Sequence, residues 1–167
     1  VAFMLKRDLM GPGVTAADVL RATDCVMPCF EIVDSRIKDW KIKIQDTVAD
    51  NASCGVLTLG GTRRSPRDLD LALAGMVLEK NGEIVATGAG AAALGHPANA
   101  VAWLANTLGQ HGIALEAGEV VLIEQSGAVA RQLEANALRL GADETRIVQR
   151  DALRWLRRTL YYLGVPL

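Results

Sequence analysis

Much can be excluded from what these 167 residues do not contain. No charge of one sign dominates: 18 Lys and Arg stand against 19 Asp and Glu, a net charge of −1, so the global balance points neither to nucleic acid nor to a membrane surface. No apolar run approaches the roughly 18–20 residues that a transmembrane helix needs. The N-terminus lacks the charged-then-apolar pattern of a secretory signal. Val1 is not a natural initiator, which suggests that the true N-terminus lies upstream. Cysteine is scarce, and Cys25, Cys29 and Cys54 make an odd count; Cys25-x-x-x-Cys29 is not a redox pair, and no second Cys/His pair completes a zinc site. Buried thiols in a reducing cytoplasm are the expected reading. There is no Gly-x-Ser-x-Gly elbow, no Cys/His catalytic spacing, no P-loop and no internal repeat.

What is present is chain enough for one domain with a real core, half of it hydrophobic. Residues 1–7 read as a strand. Thr15 to Asp18 resembles a capping box, with Asp in place of the usual Glu or Gln, and opens a short helix to about Ala22. Residues 25–33 read as a core strand, although Pro28 argues for an edge or a bulge. Residues 36–46 alternate charged and apolar side chains and fit a solvated strand or a helical turn. A helix is expected over 46–54, a short strand over 56–59 and a loop over 62–70. Leu71–Glu79 and Glu83–Thr87 pair around Asn81-Gly82, the strongest hairpin signal in the chain, because both turn positions need positive φ. Pro97 starts a helix whose Val101, Leu104, Ala105 and Leu108 share one face. Beyond Glu119 the pattern turns to strand–helix–strand–helix, an α/β unit.

Four constellations could carry chemistry. Glu31 sits inside an apolar strand, where a carboxylate costs several kcal/mol unless compensated; it is either a salt-bridged structural acid or a hard ligand for Mg²⁺ or Mn²⁺. Asp34 and Arg36, just after it, can pair with each other or cap the strand end. Asp50, Asn51 and Ser53 either cap a helix end or form a hydrogen-bonding shelf for a substrate carboxylate or carbonyl. Gly88, Gly90 and His96 precede a helix N-terminus that can receive an anion, with His96 as a structural residue or an acid/base group; the third glycine is misplaced for a dinucleotide fingerprint. Glu124 and Asp151 each follow a strand, as nucleotide-contacting acids do, but no glycine loop precedes the first strand.

Long runs of the chain resemble a known family. Val1-Ala-Phe-Met-Leu-Lys-Arg-Asp-Leu-Met-Gly-Pro-Gly-Val-Thr15, Glu31-Ile-Val-Asp-Ser-Arg-Ile-Lys-Asp-Trp40, Asp46-Thr-Val-Ala-Asp-Asn-Ala-Ser53 and Leu94-Gly-His-Pro-Ala-Asn-Ala-Val-Ala-Trp-Leu-Ala105 are similar to the C-terminal half of the 2-hydroxypenta-2,4-dienoate (2-keto-4-pentenoate) hydratases. These belong to the fumarylacetoacetate hydrolase superfamily, beside 4-oxalocrotonate decarboxylase, and act in aromatic meta-cleavage. The resemblance implies a mixed, β-rich fold and a Mg²⁺ or Mn²⁺ ion held by a Glu-x-Glu pair and a third acid. Glu31 matches the third acid; the Glu-x-Glu pair would stand before Val1. It further implies Asp50, Asn51 and Ser53 as catalytic, and Gly88, Gly90 and His96 as substrate-binding. Glu119-Val-Val-Leu-Ile-Glu-Gln-Ser126, Val129-Ala-Arg-Gln-Leu-Glu-Ala-Asn136 and Asp151-Ala-Leu-Arg-Trp-Leu156 instead resemble the 16S rRNA guanine-N2 methyltransferases, in which the acids matching Glu124 and Asp151 bind S-adenosylmethionine. That family's glycine-rich and Asn-Pro-Pro-Tyr-type motifs are missing.

The expected fold is therefore α+β: a partial, fumarylacetoacetate-hydrolase-like β-rich core over 1–122 and a methyltransferase-like α/β unit over 123–167, packed as one domain. The expected function is that of a fragment or chimera of a metal-dependent hydratase, adding water to a small 2-hydroxy-dienoate to give a 4-hydroxy-2-keto acid, with weak metal binding and little turnover. The alternatives are an S-adenosylmethionine-binding module, the one reading that involves nucleic acid, and an inactive structural chimera. A cytoplasmic homo-oligomer without membrane contact is expected, because a sheet that has lost half its fold exposes edges.

Overall fold

The computed structural model describes residues 1–123, with every side chain there except those of Ile44, Val48 and Asn51. The described residues divide into two compact units: residues 1–29 with 59–123, and residues 30–58. The strand–helix–strand–helix unit expected after residue 123 lies outside the described residues.

The first unit is built on β1 (Ala2–Leu5), the middle strand of a three-stranded sheet. It pairs antiparallel with β2 (Thr23–Met27) on one side and with β7 (Val120–Leu122) on the other. Phe3 lies opposite both Val26 and Val121, and all three are buried. α1 (Ala16–Ala22) begins with the predicted capping box: the Thr15 side chain accepts from the Asp18 N–H, and the Asp18 carboxylate accepts from the Thr15 N–H. The Thr15 hydroxyl, the Thr15 amide and Arg21 hold the Asp18 pKa down at about 2. α3 (Pro97–Gly109) buries Val101, Leu104, Ala105 and Leu108, the face expected from their spacing. Asn106 clamps the chain before α1 onto α3: its Oδ1 accepts from the Val14 N–H and its Nδ2 donates to the Val14 carbonyl, both at 2.8 Å. The backbone of Gly11 meanwhile lies so close to Gly109 that a Cβ there would collide with the Gly11 carbonyl carbon and oxygen.

The same unit carries the hairpin of β5 (Gly75–Lys80) and β6 (Glu83–Ala89). Asn81 and Gly82 adopt φ of 53° and 84°, the positive pair that the two-residue turn requires. β5 starts later than the expected Leu71, because the Asp70 carboxylate accepts from the Ala72 and Leu73 amides and turns the chain there.

The second unit contains the two-stranded sheet of β3 (Cys29–Val33) and β4 (Cys54–Leu59), with α2 (Ile44–Ala49) between them in sequence. The single strand expected over 25–33 is thus two strands in two sheets. Pro28 is the break: it has no N–H for a ladder, and its carbonyl accepts instead from the Gly60 amide at 2.8 Å. Over 36–46 the chain makes no strand: Lys38–Trp40 is a single tight turn in which Asp39 and Trp40 adopt φ of 59° and 52°, and α2 begins at Ile44. The helix expected over 46–54 ends at Ala49, and Ala52 and Ser53 then both adopt φ of 54°, which no helix accommodates. Mixed strands and short helices agree with an α+β class.

Candidate functional site

The most densely bonded polar cluster among the described residues lies in the second unit. It joins the turn after β3 to the turn before β4, and its centre is Asp50, 8 % exposed. The Asp50 Oδ2 accepts from the Ser53 hydroxyl at 2.9 Å, the Arg36 N–H at 3.1 Å and the Ser35 hydroxyl at 3.2 Å. Its Oδ1 accepts from the Arg36 guanidinium at 3.2 Å. Arg36 also donates to the carbonyls of Asp50 at 3.0 Å and Cys54 at 2.9 Å. The Ser53 N–H returns to the Asp50 carbonyl and its own carbonyl accepts from the Asp34 amide, so both turns are tied at several points. Arg36 thus pairs with Asp50, not with the Asp34 partner offered by sequence proximity.

This geometry fixes the protonation of Asp50. Burial pushes its pKa up, but the Arg36 amide, the Ser53 hydroxyl, the Arg36 guanidinium and the Ser35 hydroxyl together pull it below the usual carboxylate range. An ionised carboxylate whose oxygens already accept four hydrogen bonds is held in place and is a poor base. Ser53 is 1 % exposed and its hydroxyl proton is committed to Asp50. The cluster can therefore orient a turn and present its backbone; proton exchange at Asp50 would require opening it.

Glu31 stands on β3 and is partly exposed, so the burial cost that first drew attention to it is smaller than the apolar strand implied. Among the described residues no group of three or more His, Cys, Asp or Glu side chains is placed to hold a metal ion. Cys25, Cys29 and Cys54 form no disulfide.

Gly88, Gly90 and His96 belong to the first unit. Gly88 pairs with Met76 in the hairpin. Gly90 is small for a packing reason: a Cβ there would overlap the Leu71 carbonyl oxygen. His96 is the N-cap of α3, its Nδ1 accepting from the Ala98 N–H at 3.0 Å. That bond requires an unprotonated Nδ1, so the neutral ring carries its hydrogen on Nε2. Glu124 and Asp151 lie outside the described residues. Ser35 and Arg36 were the residues whose role sequence reasoning missed. The signal was there in two polar clusters, Asp34-Ser-Arg36 and Asp50-Asn-Ala-Ser53, but joining them required knowing that β3 pairs with β4.

Comparison with known proteins gives the class to which this geometry is related. The chain is 72 % identical over 114 residues to a 2-hydroxypent-2,4-dienoate hydratase of Pseudomonas putida, a match covering 68 % of this chain and 51 % of that protein. It is 63 % identical over 137 residues to a 2-hydroxyhexa-2,4-dienoate hydratase of Comamonas testosteroni, covering 82 % of this chain and 51 % of that protein. Among solved structures it is similar to 4-oxalocrotonate decarboxylase from Pseudomonas putida G7 complexed with magnesium and adipate, with a TM-score of 0.67 and 44 % identity over 72 % of this chain and 46 % of that one. The same enzyme complexed with calcium and acetate matches with a TM-score of 0.64. No family model matches. The chain spans about half the length of the curated relatives it matches. The S-adenosylmethionine alternative gains no support from these relatives. Among the described residues no helix is long and apolar enough to cross a membrane.

Proposed function

We propose that the chain carries part of the active site of a metal-dependent hydratase that adds water to 2-hydroxypenta-2,4-dienoate, giving 4-hydroxy-2-oxopentanoate in the breakdown of aromatic compounds. The observation that carries the reading is the 72 % identity to a 2-hydroxypent-2,4-dienoate hydratase over 114 residues. The ion supported by the neighbouring structures is Mg²⁺ or a similar divalent cation, which when bound would act as a Lewis acid toward the 2-keto acid. The described residues do not assemble a complete ligand set for it. Glu31 is proposed as one donor.

The chain's own residues have the following roles in this proposal. Asp50, with Arg36 and Ser35, holds the 50–54 turn in a single geometry. That turn, with Asn51 and the Ser53 backbone, forms a hydrogen-bonding shelf for the carboxylate or keto oxygen of the substrate. Preorganised donors of this kind act without reorganising at the moment of reaction. In the first unit, Gly88, Gly90 and His96 are the proposed substrate-binding residues; the Gly90 amide is taken by the Ala74 carbonyl, so the donor offered there is the His96 Nε2–H.

The test is consumption of the dienoate, followed by its ultraviolet absorbance, in the presence of Mg²⁺. It is run with the 167-residue chain alone and with the unmatched half of the Pseudomonas putida relative added. Little turnover alone, restored hydration in the mixture and its loss in Glu31→Gln are expected. The absence of both hydration and Mn²⁺ binding in the mixture would overturn the proposal.

A further inference from the structure

The hairpin tip contains a chemical site that the proposed hydratase reading does not use. Asn81 is followed by Gly82, and of the five asparagines in the chain it alone precedes a glycine; Asn51, Asn99 and Asn136 precede alanine and Asn106 precedes threonine. Both residues of the tip are exposed. A Cβ at Gly82 would meet nothing within 4 Å, so no neighbour crowds the turn there. Among the described residues no hydrogen bond engages the Asn81 side chain or the Gly82 N–H. The contrast is with α3. There the Asn99 side-chain amide donates to the Leu94 carbonyl and the Asn106 amide is held on both sides by Val14, each inside a helix whose following amides are in the ladder.

We propose that Asn81 is a site of spontaneous deamidation and isoaspartate formation, and that the modification unfastens the β5–β6 hairpin. The Gly82 backbone nitrogen attacks the Asn81 side-chain carbonyl carbon. A nitrogen–carbon bond forms, the bond from that carbon to Nδ2 breaks, and the Gly82 amide proton leaves with the departing nitrogen as ammonia. The resulting five-membered succinimide is opened by one water. Attack at the side-chain carbonyl leaves an ordinary aspartyl residue in place of Asn81; attack at the main-chain carbonyl gives an isoaspartyl linkage. The net change is uptake of one water and release of one ammonia, with no oxidant or cofactor.

The left-handed turn does not itself aim the Gly82 nitrogen at the side chain, so the reaction proceeds from a locally opened hairpin. Opening is easy here. A two-stranded ribbon is marginal by itself, and its Val77 and Ile84 are 58 % and 64 % exposed, so they contribute little burial. An isoaspartyl linkage lengthens the main chain by one methylene at a turn that allows only two residues between Lys80 and Glu83. The two-residue closure cannot be restored around it, and pairing loosens from Lys80–Glu83 past the irregularity between Leu78 and Glu79 toward Gly88, opposite Met76. An effect on substrate handling would rest on the proposed role of Gly88; the modification does not.

The 167-residue chain is incubated folded at mildly alkaline pH and mapped by peptide mass spectrometry, with a urea-unfolded sample alongside. Acid is expected at residue 81, part of it isoaspartate, forming more than about tenfold faster than at Asn99 or Asn106, whose helical bonds must open first. Amide hydrogen exchange should then show lost protection over residues 76–87. Aged Asn81→Gly, which keeps a turn-compatible residue and removes the reacting amide, should retain it. An Asn81 that stays intact in the folded chain while converting in the unfolded one would overturn the proposal. So would conversion at equal rates at residues 81, 99 and 106, or equal loss of protection in the aged glycine variant. Hydration assays of aged protein mixed with the unmatched half of the Pseudomonas putida relative report separately on Gly88: unchanged turnover after complete conversion at 81 sinks the substrate-binding role and leaves the modification standing.

Discussion

Replacing Arg36 and Asp50 singly and together tests whether the cluster between the turns is a coupled unit. Asp50→Ala strands the Ser53 hydroxyl, 1 % exposed, and the Arg36 amide. A buried donor left without an acceptor costs about 1–3 kcal/mol, and the part-buried Arg36 amide can turn partly to water, which places Asp50→Ala near 2–3 kcal/mol. Arg36→Met leaves the three donors to Oδ2 in place and removes the guanidinium from Oδ1 and from two carbonyls. The Arg36 side chain is 53 % exposed, and water replaces part of what is lost, which reduces the expected cost to about 1–2 kcal/mol. Without Asp50, Arg36 retains only its carbonyl bonds, and the double variant should be about 1 kcal/mol less destabilised than the sum. Urea unfolding at constant slope measures all four proteins. The pH dependence gives an independent check. The folded-state pKa of Asp50 is depressed, so its contribution is fully present above the unfolded carboxylate value of about 4. As pH falls below that value the unfolded state takes up the proton first, and the contribution is lost progressively down through the lowered folded pKa. The gap between wild type and Arg36→Met should accordingly be constant near neutrality and narrow in acid toward what the two carbonyl bonds contribute. Additive costs, or a gap that is flat in acid, would refute the coupling.

Two further outcomes follow from the first unit. Gly109→Ala would ordinarily stabilise a helix by about 0.5–1 kcal/mol, but here the new Cβ would run into the Gly11 backbone. Overpacking of about 1–3 kcal/mol should win, and thermal unfolding at a lower temperature than wild type is expected; a gain in stability would show that the Gly11 loop yields freely. Leu94 adopts φ of 52° with its side chain 59 % exposed. Leu94→Asn should relieve about 1 kcal/mol of left-handed strain with little burial lost, and a fall in melting temperature would mean that Leu94 packs against something its exposure conceals.

How much of this was legible in the sequence depends on the range over which each feature is decided. The Thr15–Asp18 box, the Asn81-Gly82 turn and the Pro97–Gly109 helix are settled within a few residues, and each stands where its local chemistry placed it. Pro28 was read as an irregularity inside one strand, and it is a division between two sheets. Telling those apart requires knowing that Val26 bridges Arg64 while the Pro28 carbonyl takes the Gly60 amide, a choice made by residues more than thirty positions away. The small residues over 88–95 admit either a ligand or another stretch of backbone, and at Gly90 the Leu71 backbone takes the space. Composition reveals where a Cβ is missing, but not which atom takes its place.

The same distinction of range bears on the candidate site. Asp50 and Ser53 were identifiable as polar residues near a helix end, and the local reading was capping. They do cap a turn, but the donors that complete it come from residues 35 and 36, across the β3–β4 ribbon. A capping cluster and a substrate shelf are therefore not competing descriptions. Left-handed Ala52 and Ser53 cost about 1–2 kcal/mol each. A turn that carried only its own backbone could relax to a cheaper geometry. Strain persists where surrounding bonds over-determine it, and the Asp50–Arg36 network supplies those bonds. The network thus holds a strained turn in one conformation, and this constraint, more than any single titrating side chain, is what a preorganised binding surface requires.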